Sequence, residues 1–191
     1  MTPTIATCTG LWRRTLLIEA DGSRDTGTSV LWLQGRSLFV DVRGPGEGFA
    51  GRLGQHDDVF EWDRLVDLQP PGLPDAGRMS WAGDTLVEIG VHADYTEHWH
   101  PEPGSADPCW GAVVSAREVS GVLVRVGERF GWARPQEVSL GTVSGTEWRI
   151  TESSDADRVG AVLRPRLESG QLRVDDDIAW DIDETEGSVE L

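Results

Sequence analysis

The chain has 191 residues, 33 of them acidic and 17 basic, for a formal net charge of −16, and 38% are hydrophobic. That is one domain's worth of sequence or two small ones, enough to bury a core without disulfide staples. The acidic balance argues against a general affinity for nucleic acid or for an anionic membrane surface.

All 17 cations are arginine, and asparagine is absent. The first fact excludes Schiff-base and pyridoxal-phosphate chemistry and a P-loop lysine; the second excludes N-glycosylation sequons. Nine tryptophans stand against one tyrosine and four phenylalanines. Indoles have large apolar bodies and one N–H to satisfy, so that number predicts a core or cavity lined by them.

In chain order, the opening MTPTIATCTGLWRR has no basic segment followed by an apolar one, so no signal peptide is read. Cys8 and Cys109 are the only cysteines, which suits free thiols in a reducing compartment and an expected cytoplasmic location. Strands are expected over Leu11–Glu19, Ser29–Gln34, Ser37–Arg43, Val59–Asp67, Gly77–Trp81, Thr85–Val91 and Asp94–His100. Further strands are expected over Gly111–Ala116, Gly121–Val126, Arg129–Ala133, Thr146–Thr151, Gly160–Leu163 and Gln171–Asp177, with Trp180 in a final one. They are rich in Val, Leu, Trp and Thr and are separated by turn signals. Gly44–Asp58 reads as a Gly-rich lid or crossing loop, and Gln69–Ala76 as a proline-stiffened excursion. Helix is confined to a turn or two within Asp155–Leu163, and the acidic tail from Asp175 is expected to fray at its end. The pattern predicts an all-β antiparallel barrel of about 8–12 strands in one domain spanning 1–191.

Strand alternation sorts side chains onto faces. Phe39, Asp41 and Arg43 share one face. Phe60, Trp62 and Arg64 share another, with Glu61 opposite, and Tyr95, Glu97 and Trp99 share a third. Carboxylates and guanidiniums thus alternate with aromatics, as in a barrel cavity that holds ion pairs. His98 and His100, with His92 and Glu102 near, have the look of a strand metal site, but Pro101 and Pro103 end that strand at once. No metal ligands are assigned. Cys109 beside Trp110 reads as a packed residue rather than a nucleophile.

Gly10-Leu11-Trp12 resembles the GxW signature of lipocalins and related calycin barrels. That resemblance implies an arginine stacked across Trp12, from Arg173 or else Arg149. A wider resemblance runs through GLWRR (10–14), DTGTSVLWLQGRSLFVDVR (25–43), EGFAG (47–51), EWDRLVDLQPPGLPDAGRM (61–79) and LVEIGVHADYTEHW (86–99). These blocks are similar to a family of uncharacterised bacterial proteins, itself distantly similar to fungal casein-kinase-interacting proteins with a lipocalin-like fold. The resemblance implies a lipocalin-like (calycin-type) barrel and no particular reaction. Asp63 departs from the family pattern, which has His in that place.

Three functions are weighed. The first is cofactor-independent acid–base catalysis of the cyclase or isomerase type on a hydrophobic, natural-product-like molecule. Tyr95 and Glu97 would be acid and base, Arg43 and Arg64 orienting groups, and Asp41 and Glu61 their ion partners. Trp12, Trp32, Phe39, Trp62 and Trp99 would line the pocket. The second is a carrier or sequestering protein that uses the same wall. The third is an interaction module that uses the barrel exterior. A hydrophobic small molecule is the expected partner, with no cofactor, and a hydrophobic barrel edge leaves room for a homodimer.

Overall fold

The computed structural model describes residues 2–70, 72–174 and 178–191. A 3-10 turn at Ile5–Cys8, capped by the Thr4 hydroxyl, leads into nine strands. These are β1 (Gly10–Glu19), β2 (Arg24–Asp25), β3 (Leu31–Gln34), β4 (Leu38–Gly44), β5 (Glu47–His56), β6 (Val59–Asp67), β7 (Ala76–Ala82), β8 (Thr85–Gly90) and β9 (Tyr95–Pro101). Each pairs antiparallel with its neighbour, and β1 also pairs with β9, from Trp12 opposite Pro101 to Glu19 opposite Tyr95. Leaving aside the short β2, which pairs with the far end of β1 beyond β3, this is a closed eight-stranded antiparallel barrel. Closure gives every strand of the barrel a partner on both sides over at least part of its length.

The strands expected to build one barrel divide between the barrel, a second large sheet and a small two-stranded one. β10 (Cys109–Ala116), β11 (Val119–Val126), β12 (Arg129–Arg134), β13 (Glu137–Ser144) and β14 (Glu147–Ser153) form an antiparallel meander. A second 3-10 turn, Ala156–Arg158, follows, and β15 (Val162–Leu163) adds to β14. β16 (Arg166–Glu168) and β17 (Gln171–Arg173) pair with each other, and β18 (Asp181–Glu186) returns to pair with β10. Part of the expected strand at 171–177, residues 175–177, lies outside the described residues.

Alternation explains how the two sheets join. Leu33, Val40 and Val42 point out of the barrel and meet Val122, Val124, Val138 and Leu140 of the second sheet, all buried. The second sheet's other face carries Trp110, Phe130, Trp132, Trp148 and Trp180 in a separate core. Close fit matters here: a Cβ on Gly131 would come within 2.6 Å of Val40 Cγ2, so β12 offers a notch in which β4 seats.

Three expectations need correction. The expected loop at 44–58 contains the ten-residue strand β5. Its glycines hid the alternation, and one of them is required: a Cβ on Gly51 would sit 1.9 Å from the Asp63 carbonyl oxygen, at a bulge between β5 and β6. β13 was absent from the expected strands because its Ser, Gly and Thr read as turn residues. Of the last residues expected to fray, 185–191, the first two belong to the strand β18. The Glu186 carboxylate accepts hydrogen bonds from the backbone N–H of Arg36, Ser37 and Leu38 and from the Ser37 hydroxyl, at 2.7–3.2 Å. With the Arg52–Glu184 pair it ties β18 to the barrel.

Candidate functional site: the charged mouth of the barrel

The barrel interior has two different ends. At one end lie Trp12, Trp32, Phe39, Leu53, Phe60, Trp62, Met79, Leu86 and Trp99, all buried. Their rings touch: Trp12 and Trp32 are 6.0 Å apart between centroids, Trp32 and Trp99 5.7 Å, Trp32 and Trp62 6.0 Å. The Trp12 indole N–H donates to the Cys8 carbonyl at 2.7 Å, so the N-terminal 3-10 turn closes this end. The Trp32 N–H donates to the Gln34 side chain at 3.0 Å. The five aromatics expected to wall a pocket therefore come together, but ring against ring, as a plug.

The cation–π partner implied for Trp12 is not where the GxW resemblance puts it. Arg173 pairs with Glu168, and Arg149 bonds the Gly160 carbonyl on the second sheet. Trp12 packs instead between Trp32 and Trp81. The barrel is complete at β9, so these late arginines lie outside it, Arg149 on β14 of the second sheet and Arg173 on β17 of the small β16–β17 pair.

At the other end the inward positions turn polar. Arg14 on β1 is buried and donates to Glu97 on β9 at 2.7 Å and to Asp25 at 3.2 Å. Arg43 donates to its strand neighbour Asp41 at 2.8 Å. Arg64 bonds Asp67 at 3.0 Å and Asp75 at 2.5 Å, and its guanidinium carbon lies 3.5 Å from the Phe49 ring centroid. With lysine absent, every one of these inner pairs is arginine with carboxylate. Such forks keep charges tolerable where water is scarce.

The residue that sequence reasoning missed is Glu88 on β8. It is 3% exposed and lies directly opposite Glu97 in register. The Tyr95 hydroxyl donates to its Oε1 at 2.7 Å, and the Trp99 indole N–H donates to its Oε2 at 3.1 Å. Gly77 makes the room, since a Cβ there would meet Glu88 Cγ at 2.5 Å. Burial, with the neighbouring Glu97 carboxylate adding to it, pushes the Glu88 carboxyl up to about 8. Burial also pushes Asp41 up, against the pull of Arg43. The Tyr95 phenol is pushed up by burial and by Glu88, so it keeps its proton. The available signal for Glu88 was its position: one carboxylate in the apolar run Leu86-Val87-Glu88-Ile89, on the same parity as Leu86.

Of the expected site residues, Tyr95, Glu97, Arg43, Arg64 and Asp41 all point inward at this end. Glu61 does not. It is exposed on the outer side of β6, and the Arg64 partners are Asp67 and Asp75. In regular strand an i, i+3 spacing puts residues on opposite faces, which separates Glu61 from Arg64; Asp67 reaches Arg64 because the bulge between Arg64 and Val66 returns it to the inner face. Asp63 is exposed on the outer side as well. Glu97 is committed to Arg14, and Glu88 is an acid that burial makes hold its proton more tightly.

Open space begins where the polar ring ends. A half-open cleft of about 390 Å³ lies between Tyr95, Arg64, Asp75, His92 and the Leu73–Pro74 loop. A wider groove of about 800 Å³ adjoins it, shares Arg64, Pro74, Asp75 and His92, and reaches Trp62, Asp67 and Pro70. The space exists because β6 leaves β7 after Glu61, and the 68–75 loop bridges the gap. Cys8 and Cys109 lie elsewhere as free thiols. Burial pushes Cys8 up to about 12, and burial and Glu186 push Cys109 up, so neither is an activated nucleophile. Among the described residues no cluster of three or more His, Cys, Asp or Glu side chains is arranged to hold a metal ion, and His100 lies 3.1 Å from the Thr85 hydroxyl. No helix among them is long and apolar enough to cross a membrane.

No protein-family model matches the chain, and no curated protein matches it. Among solved structures it is similar to the crystal structure of the uncharacterized protein YLR301w from Saccharomyces cerevisiae, with a TM-score of 0.63 and 12% sequence identity. The match covers 93% of this chain and 98% of that one, so it takes in both the barrel and the second sheet. At that identity the likeness is one of fold.

Proposed function

We propose that this protein binds a small organic molecule at the charged mouth of its barrel. The observation that carries the reading is the cleft between Tyr95, Arg64, Asp75 and His92, joined to a groove that reaches Trp62 of the barrel's aromatic cluster. Ligand sites are concave and mostly apolar, with a few fixed polar groups. Here Trp62, Leu73, Pro70 and Pro74 supply apolar surface, and the arginine forks hold the polar groups in place. The test is to titrate neutral aromatic fragments such as indole and 2-naphthol while following indole N–H resonances. The Trp62 signal should shift, and that of Trp12, behind the plug, should stay. Shifts confined to the junction between the sheets, or none at all, would refute the reading.

One observation favours a catalytic version of the same site. Tyr95 lines the cleft and hands its hydroxyl to a buried carboxyl, an arrangement able to relay a proton. In this version Tyr95 touches the ligand and Glu88 acts through it, in a cofactor-independent isomerase or cyclase. Tyr95→Phe and Glu88→Gln would then abolish turnover while leaving binding within a few-fold. If turnover survives both, the protein is a carrier.

A further inference from the structure

Resting on the reading of the mouth as a ligand site, we propose that the ligand it takes is an organic ammonium ion on an apolar body. Among the described residues, Arg64 is the one guanidinium lining the cleft and groove. Against it stand Glu61, Asp63, Asp67 and Asp75.

Arg64 is already engaged by two carboxylates. Each of its terminal nitrogens gives an N–H to Asp67 or Asp75, its flat face rests on Phe49, and its Nε, which makes no hydrogen bond, is buried away from the open cleft. An incoming carboxylate or phosphate would lose its water and meet excess negative charge, which is costly. An ammonium would meet the opposite. Asp75 gives one carboxylate oxygen to Arg64, and its other oxygen takes no hydrogen bond from the described residues. Trp62 lines the groove and Tyr95 the cleft, and both rings attract a cation through their negative faces. The rim beside them is apolar, with Leu73, Pro70 and Pro74 placed to cover a hydrocarbon body. The net charge of −16 adds long-range attraction, which a cleft concentrates.

The experiment compares three probes of one size by isothermal titration of the full chain: 2-phenylethylamine, 2-phenylethanol and phenylacetate. The amine should bind at least about ten-fold more tightly than the alcohol, the scale of one charged hydrogen bond, with phenylacetate weakest. Asp75→Asn should erase most of that preference. Leu73→Arg adds a cation to a side chain that is 56% exposed, so the fold tolerates it, and it should weaken the amine selectively. If the alcohol or phenylacetate binds as well as the amine, or if neither variant changes the preference, the ammonium assignment is wrong and the mouth stands as a ligand site of another class. If none of the three binds, the reading of the mouth as a ligand site falls with it.

Discussion

Replacing Glu88 by Gln should make the protein less sensitive to alkali. In the folded chain the Glu88 carboxyl is lifted from an ordinary 4.5 to about 8 by burial and by Glu97. The charged groups facing it are Glu97 on β9, Arg14 on β1, Arg43 on β4 and Asp75 in the 68–75 loop. Below pH 4.5 both folded and unfolded chains hold the proton, and the group leaves stability unchanged. Between 4.5 and about 8 the unfolded chain has released the proton and the folded chain still holds it, so stability falls as pH rises. Above about 8 both are ionised and the loss is complete. At ~1.36 kcal/mol per pH unit the ceiling on this loss is about 5 kcal/mol; because Glu97 shares the interaction, roughly 2–5 kcal/mol is expected.

Gln has nearly the same shape. Its carbonyl can accept from Trp99 and its amide can donate to the Tyr95 oxygen, at a cost of about 1 kcal/mol. The two stability curves should therefore cross. At pH 5 the variant equals or trails the wild type. At pH 9 it exceeds it, by ~2–4 °C in Tm for each kcal/mol. Urea unfolding at unit pH steps from 5 to 9 reads this directly, and comparing the two proteins cancels the four histidines they share. Parallel curves would show that Glu88 ionises freely in the folded state and would refute the reasoning.

Arg14→Met removes the cation that holds Glu97 and leaves its buried carboxylate unpaired beside the Glu88 carboxyl; urea unfolding at pH 7 should show a loss of about 3–5 kcal/mol, smaller at pH 5. Gly131→Ala fills the notch that seats Val40 and should cost about 1–3 kcal/mol, seen as a lower Tm with the barrel mouth still able to bind. Glu186→Ala leaves three backbone N–H groups of residues 36–38 without their acceptor and should cost about 2 kcal/mol, with faster hydrogen exchange at those amides.

Much of the barrel is legible from sequence because its strands alternate cleanly. Val59–Asp67 is the same span in expectation and structure, and parity grouped Tyr95 with Glu97, Asp41 with Arg43 and Trp62 with Arg64 on shared faces without saying which face is the inner one. What escaped did so for physical reasons. β5 and β13 carry small residues where bulges and close strand approach demand them, so propensity reads them as turns. Asp75 sits in a proline-rich loop whose path only the three-dimensional fold defines. The division of the tryptophans into a barrel plug and a second-sheet core follows from where β9 closes on β1, a long-range pairing with no local signature. The fate of the indoles was also beyond parity. Alternation says which way a ring points, not whether the space it points into is already full.

The clamp made by Glu186 bears on the order in which the molecule is built. During synthesis β1–β9 emerge first and can close by themselves, but the outer wall formed by Leu33, Val40 and Val42 then has nothing to lie against. The residues that cover it come from β11–β13, and the carboxylate that fastens the second sheet to the barrel comes later still, on β18. A nascent barrel thus carries a bare apolar wall until those strands have followed it, which is a hazard for aggregation. A chain halted short of residue 186 would possess the mouth and its arginine forks and still lack the fastening. The integrity of β18 is in that sense built into the stability of the barrel.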